Sequence, residues 1–160
     1  MRRALVVLAV VMAPALAPGR EPPARYGVQP DLKTYPQATP KEALGSVLKA
    51  IDNKRPDYLL AQLADPEWVD RRVKGNGGRF EDLVAETRAK LLDDPAAARQ
   101  LRRFLTEGEW EAGETAASVK LKDVSDRRVY LRKAGGRWFM ENRRQPEAGP
   151  KKKVAPIDKP

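Results

Sequence analysis

Neither cysteine nor histidine occurs in this chain of 160 residues. Without cysteine there is no disulfide, no thiolate metal ligand and no sulfur nucleophile. Without histidine there is no imidazole ligand and no mechanism that runs through a histidine base. Chemistry is left to carboxylates, lysine, tyrosine and hydroxyls. Aromatic residues make up 6% of the chain, and no Asn-x-Ser/Thr acceptor for glycosylation is present. An apolar run covers residues 4–12, well short of the roughly 20 residues that a membrane-spanning helix needs.

That run has a different use. Arg2 and Arg3 precede it, Pro14 breaks the chain shortly after it, and Ala13, Ala15 and Ala17 supply small residues at cleavage spacing. Residues 1–17 therefore read as a secretory signal peptide, cut after Ala15 or Ala17, so the protein is expected to be exported, periplasmic or secreted. Residues 18–38 are rich in proline and poor in aliphatic side chains, the composition of an extended spacer. Residues 39–142 hold the periodic segments of a single α+β domain. Residues 143–160, basic and without periodicity, are expected to be a disordered tail.

The net charge of +9 is unevenly spread. From Arg143 onward six Lys/Arg face Glu147 and Asp158, whereas residues 34–142 carry 20 basic and 18 acidic side chains. Within that domain, 115–137 holds seven basic residues against two acidic ones, so the C-terminal part is the positive end.

Within 39–142 helical signals come first. Thr39, Pro40 and Glu42 spell a capping box with proline in the first turn, followed by Leu44, Val47, Leu48 and Ile51 at helical spacing. Shorter helices are expected over 57–64, 67–73, from Phe80 to the region of Leu92, and from Pro95 to the glycine at 108. Strands follow. Trp110 sits in a short one; then Val119 and Leu121 alternate with Lys120 and Lys122, and Val129 and Leu131 alternate with Arg128, Tyr130 and Arg132. Gly135 and Gly136 make a tight turn before Trp138, Phe139 and Met140. The expected architecture is N-terminal helices packed on a C-terminal curved antiparallel sheet of about four strands.

Helices first, then curved strands closing with Gly136, Trp138 and Phe139 in the segment GRWFMEN, resembles the cone-shaped α+β folds of the nuclear transport factor 2-like superfamily, and within it small exported bacterial proteins. The resemblance covers residues 39–142. It implies a fold shared by enzymes, ligand binders and interaction modules, often dimeric through the sheet, so a homodimer is one expectation; function has to come from the site. Enzymes of that superfamily often use an Asp/His pair, and this chain has no histidine to match it.

Several constellations invite a functional reading. Lys120, Lys122, Arg128 and Arg132, with Tyr130 among them, form an alternating basic face, a candidate anion-binding surface whose bland alternative is the solvated side of a half-buried sheet. Export makes an anionic envelope component, lipid headgroup or cell-wall polymer, a better polyanion than nucleic acid, and Lys151, Lys152 and Lys153 would add to such attraction. The loop Gly75, Asn76, Gly77, Gly78 lacks the Gly-Lys-Ser/Thr ending of a phosphate cradle and reads as an inter-helix connection. Asp93 with Asp94, and Glu109, Glu111 and Glu114, are carboxylate clusters better explained by capping and an exposed turn than by acid/base work. Of Trp68, Trp110 and Trp138, the last alternates with Met140 and reads as core. No catalytic, metal or cofactor residues are assigned. The sequence thus points to an exported, non-enzymatic binding or interaction module for an unidentified protein or envelope component. The alternatives are an electrostatic binder of anionic surfaces and a hydrolase using carboxylates.

Overall fold

The computed structural model describes residues 22–143 except 76, 93–94 and 125–126. The signal-type sequence, the tail from residue 144, Asn76 and the pair Asp93 and Asp94 lie outside the described residues. Among the described residues five helices precede a four-stranded antiparallel sheet of order β1-β2-β3-β4, so the chain is α+β with its helices N-terminal to the sheet.

Helix α1, Pro40–Asp52, starts as its capping box requires: Glu42 N–H donates to Thr39 Oγ1 at 3.2 Å, and Thr39 N–H donates to Glu42 Oε2 at 3.0 Å. Its buried stripe includes Leu44, Val47, Leu48 and Ile51, each contributing about 1.5–3 kcal/mol of transfer free energy. Helix α2, Pro56–Tyr58, runs into a π-helical turn, Leu59–Leu63. Helix α3 is Pro66–Gly75; α4, Phe80–Thr87, again ends in a π-helical turn, Arg88–Leu92; and α5 is Pro95–Glu107. Among the described residues no helix is long and apolar enough to cross a membrane.

The strands are β1 Glu109–Ala112, β2 Ala116–Lys120, β3 Arg128–Ala134 and β4 Arg137–Glu141. Gly135 and Gly136, at φ of 54° and 79°, close the β3–β4 hairpin, a two-residue loop that needs positive φ at both positions. The inward face of the sheet presents Val119, Leu131 and Trp138 to Ala43 and Leu44 of α1 and Phe104 of α5.

Residues 25–38 differ from an extended spacer, because they are laid onto the domain. Tyr35 and Gln37 are buried, Val28 packs against the helical core, and Arg25 donates to the carbonyls of Ala61 and Pro66. Gln37 of this segment and Asp65 together cover the free edge of β4: Trp138 N–H donates to Gln37 O at 3.0 Å, Gln37 Nε2 to Trp138 O at 2.8 Å, and Asp65 N–H to Met140 O at 2.9 Å.

Candidate functional site

Strand alternation places Lys120, Arg128, Tyr130 and Arg132 on the outer side of the sheet, with Lys122 just past the end of β2. The same register brings β1 beside them: Glu109 lies opposite Lys120, and Glu111 opposite Ser118. Glu111 accepts from Arg128 Nη1 at 2.8 Å and lies 3.7 Å from Lys120 Nζ, while Lys122 Nζ is 3.3 Å from Glu109. The Arg128 hydrogen bond holds the Glu111 carboxyl below its ordinary pKa. Arg132 leaves the sheet to grip Asp65, with Nε at 3.0 Å and Nη2 at 2.6 Å, and reaches Glu67 at 3.1 Å. The Tyr130 ring is covered by the Arg143 guanidinium at 5.0 Å, and Arg143 pairs with Glu141.

The outer face is therefore a lattice of mixed charge. Lys120, Lys122, Arg128, Arg132 and Arg143 meet Glu109, Glu111, Glu141, Asp65 and Glu67, five cations against five carboxylates. Strand alternation from 119 to 132 was enough to find four of the cations, all but Arg143. The carboxylates that match them come from β1, from β4 and from the start of α3 with the residue before it, which local periodicity does not connect. Glu109 and Glu111 belong to β1, and Glu114 stands in the turn that follows it, so the three glutamates flank and enter an exposed turn.

A cleft of ≈ 530 Å³ opens elsewhere, between α3, α4 with its π-helical turn, α5 and the end of β4. Its floor is apolar, formed by Leu59, Leu60, Leu83, Phe104 and Met140, and Trp68 stands half-buried in its wall. The rim is charged. Glu86 accepts from Lys90 Nζ at 2.6 Å and from Arg72 Nη2 at 3.1 Å, so two cations share one carboxylate. The Lys90 ammonium, with Arg72 beside it, holds the Glu86 carboxyl below its usual range. Glu141, whose side chain is 11% exposed, borders the far side; Oε1 accepts from Arg143 Nη2 at 3.3 Å, and Oε2 is in ion-pair contact with Arg143 Nε outside hydrogen-bond geometry.

Both π-helical turns line this cleft, through Leu59 and Leu60 in one and Lys90 and Leu91 in the other. Such turns are rare and concentrate at functional sites, since the extra residue per turn re-aims neighbouring side chains. The cleft was not visible in sequence because its lining comes from five separate stretches of the chain.

The remaining candidates that fall among the described residues each find a structural place. Trp138 is core, as its alternation with Met140 indicates. Trp110 is half-buried between the two sheet-side clusters, with its indole N–H buried and without an acceptor among the described residues. Gly77 and Gly78 take positive φ, and Gly78 N–H returns to Val73 O at 2.9 Å, which closes the C-terminal end of α3. Among the described residues no group of three or more Asp or Glu side chains comes together to hold a metal. No protein-family model matches the chain, and no curated protein or solved structure is significantly similar to it.

Proposed function

We propose that this protein is an exported, non-enzymatic binding module that takes an amphipathic small molecule, apolar body inward and anionic head at the rim, in the cleft between α3, α4, α5 and the end of β4. The observation that carries this reading is the cleft itself. Its ≈ 530 Å³ fits the range of small-molecule sites, and its floor is aliphatic and aromatic. On one side of the rim Arg72 and Lys90 outnumber Glu86, and on the far side Glu141 is paired with Arg143, so a negative head group is favoured beside Arg72 and Lys90. Export rests on the basic residues, apolar run and alanine spacing of residues 1–17. A fold of the nuclear transport factor 2-like type is supported by element order and by the closing strand Arg137–Glu141.

Catalysis by carboxylates has less support. A general acid needs a carboxyl raised toward neutral pH, whereas Glu86 is held ionised by two cations and Glu141 is paired with Arg143. Attraction to anionic surfaces through the sheet also has less support, because Lys120, Lys122, Arg128 and Arg132 each have a carboxylate within ion-pair distance.

Titration of the full chain with decanoate, followed through the methyl resonances of Leu83, Leu91 and Leu101, is expected to give saturable shifts. Ala97→Trp puts a large ring on the cleft wall and is expected to weaken binding about tenfold or more while the near-ultraviolet spectrum stays native. Shifts that never saturate below the micellar concentration, or equal binding by the natively folded variant, would refute the assignment.

A further inference from the structure

Arg137 opens β4, directly after the glycine turn, with its guanidinium half-buried and 5.0 Å from the Phe139 ring centroid. Its Nη1 donates to Gln37 Oε1 at 3.4 Å and to Gln62 Oε1 at 3.2 Å. Both glutamines are buried, at 3% and 0% exposure. Their amide nitrogens are already engaged by main-chain carbonyls: Gln37 Nε2 donates to Gln62 O and Trp138 O, and Gln62 Nε2 to Val28 O. With the nitrogens fixed, the two amide oxygens are left facing the guanidinium and hold Nη1 in one orientation. They hold it without compensating its charge.

The other edge of the guanidinium is the informative one. Arg55, Arg103 and Arg132 each turn their Nε and Nη2 donors onto a carboxylate, Asp57, Glu107 and Asp65 respectively. At Arg55 the two donors meet separate oxygens of Asp57, the fork that matches a carboxylate, whereas at Arg103 and Arg132 both converge on one oxygen. Among the described residues, no group accepts from Nε or Nη2 of Arg137, and no carboxylate lies within ion-pair distance of it. Neither nitrogen is sealed off, since the only buried side-chain polar atoms without a partner among the described residues are Trp110 Nε1 and Glu141 Oε2. Burial, with the like charge of Arg25 added, pushes the Arg137 pKa down against the pull of Tyr58. A desolvated cation held by neutral groups is costly unless an anion completes it.

The geometry points to Arg137, braced by Gln37 and Gln62, as a binding site for the carboxylate of a small organic acid, gripped side-on by Nε and Nη2. The ligand class comes from the donors: two parallel N–H groups in one plane match two coplanar oxygens, and one uncompensated positive charge matches a monoanion. This site is separate from the apolar cleft, as none of Arg137, Gln37 and Gln62 lines it.

The test is a titration of the full chain with acetate and, separately, with inorganic phosphate at constant ionic strength, read at the Arg137 Nε–H resonance. Acetate is expected to give a saturable downfield shift and to slow exchange of that proton with water, with phosphate weaker. Arg137→Lys keeps the charge but loses the fork, and is expected to bind acetate about tenfold more weakly or worse. An Nε–H response that stays linear in acetate overturns the proposal, as does tighter binding of phosphate. Equal acetate affinity in a folded Arg137→Lys chain also overturns it. Should that variant fail to fold, the wild-type Nε–H titration decides alone.

Discussion

Single side chains in this protein differ widely in what their charges do, and burial is what separates them. Lys122 pairs with Glu109, but its side chain is 81% exposed, so solvent and salt screen the pair to a fraction of a kcal/mol. Arg132 and Asp65 are 26% and 13% exposed, joined through two donors, and link β3 to the start of α3. Asp65 has a second task, accepting from Glu67 N–H at 3.1 Å in the first turn of that helix. Asp65→Ala removes both and is expected to destabilise the protein by about 2–3 kcal/mol, between the cost of a lost cap and that of a broken buried pair. Asp65→Ser keeps the cap and is expected to recover roughly 1 kcal/mol of it. Lys122→Ala should stay within about 0.5 kcal/mol of wild type. Urea unfolding of the three variants checks the ranking, and equal loss in Asp65→Ala and Lys122→Ala would remove burial as the explanation.

At the scale of elements, two glycines make opposite predictions. Gly45 lies inside α1, and a Cβ there would meet only Leu105 Cδ2 at 3.9 Å, ordinary van der Waals distance. Gly45→Ala is therefore expected to stabilise the protein by about 0.5–1 kcal/mol through helix propensity. Gly108 is the corner between α5 and β1, where a Cβ would collide with Val119 Cγ2 and the backbone oxygen of Phe104. Neither the strand nor the helix carbonyl can withdraw cheaply, so Gly108→Ala is expected to cost about 2 kcal/mol or more. Thermal unfolding of the pair should move the midpoint in opposite directions. The corner was legible in sequence as a helix stop, as were the capping box of α1 and the Gly135–Gly136 hairpin, because each depends on neighbours in the chain. The π-helical turns were not, since Leu59–Leu63 and Arg88–Leu92 carry ordinary helical side chains and owe their winding to packing. The docking of residues 25–38 was hidden for a related reason. Its buried anchors, Tyr35 and Gln37, are single residues among prolines and polar side chains, and a period cannot be read from isolated positions.

For the molecule as a whole, the missing histidine returns as a prediction about pH. No side chain has an ordinary pKa between those of the carboxylates and that of tyrosine, so the described residues offer nothing to titrate across roughly pH 5 to 9. On the acid side, hydrogen bonds from Arg55 to Asp57, from Lys90 to Glu86, from Arg128 to Glu111 and from Arg103 to Asp123 hold these carboxyls below their unfolded values. A depressed carboxyl contributes stability that is present above its unfolded pKa near 4 and is lost as pH falls through the folded value. On the alkaline side the Tyr26 phenol, covered against Phe80 and donating to Asp70 Oδ1 at 2.7 Å, is pushed up to about 12 by burial first and the Asp70 hydrogen bond second. Its contribution is complete below the unfolded value near 10 and fades as pH rises toward 12. Tyr26 is 39% exposed, and the Glu111 and Asp123 side chains are 58% and 59% exposed, so screening reduces the loss at both ends. The urea midpoint is thus expected to be level from about pH 5 to 9, and to decline below about pH 4 and above about pH 10. A step between pH 6 and 7 would mean that a carboxyl has been raised toward neutrality. Such a step would move the protein from ligand binding toward general acid catalysis, whereas a level profile leaves its carboxylates as ion-pair partners.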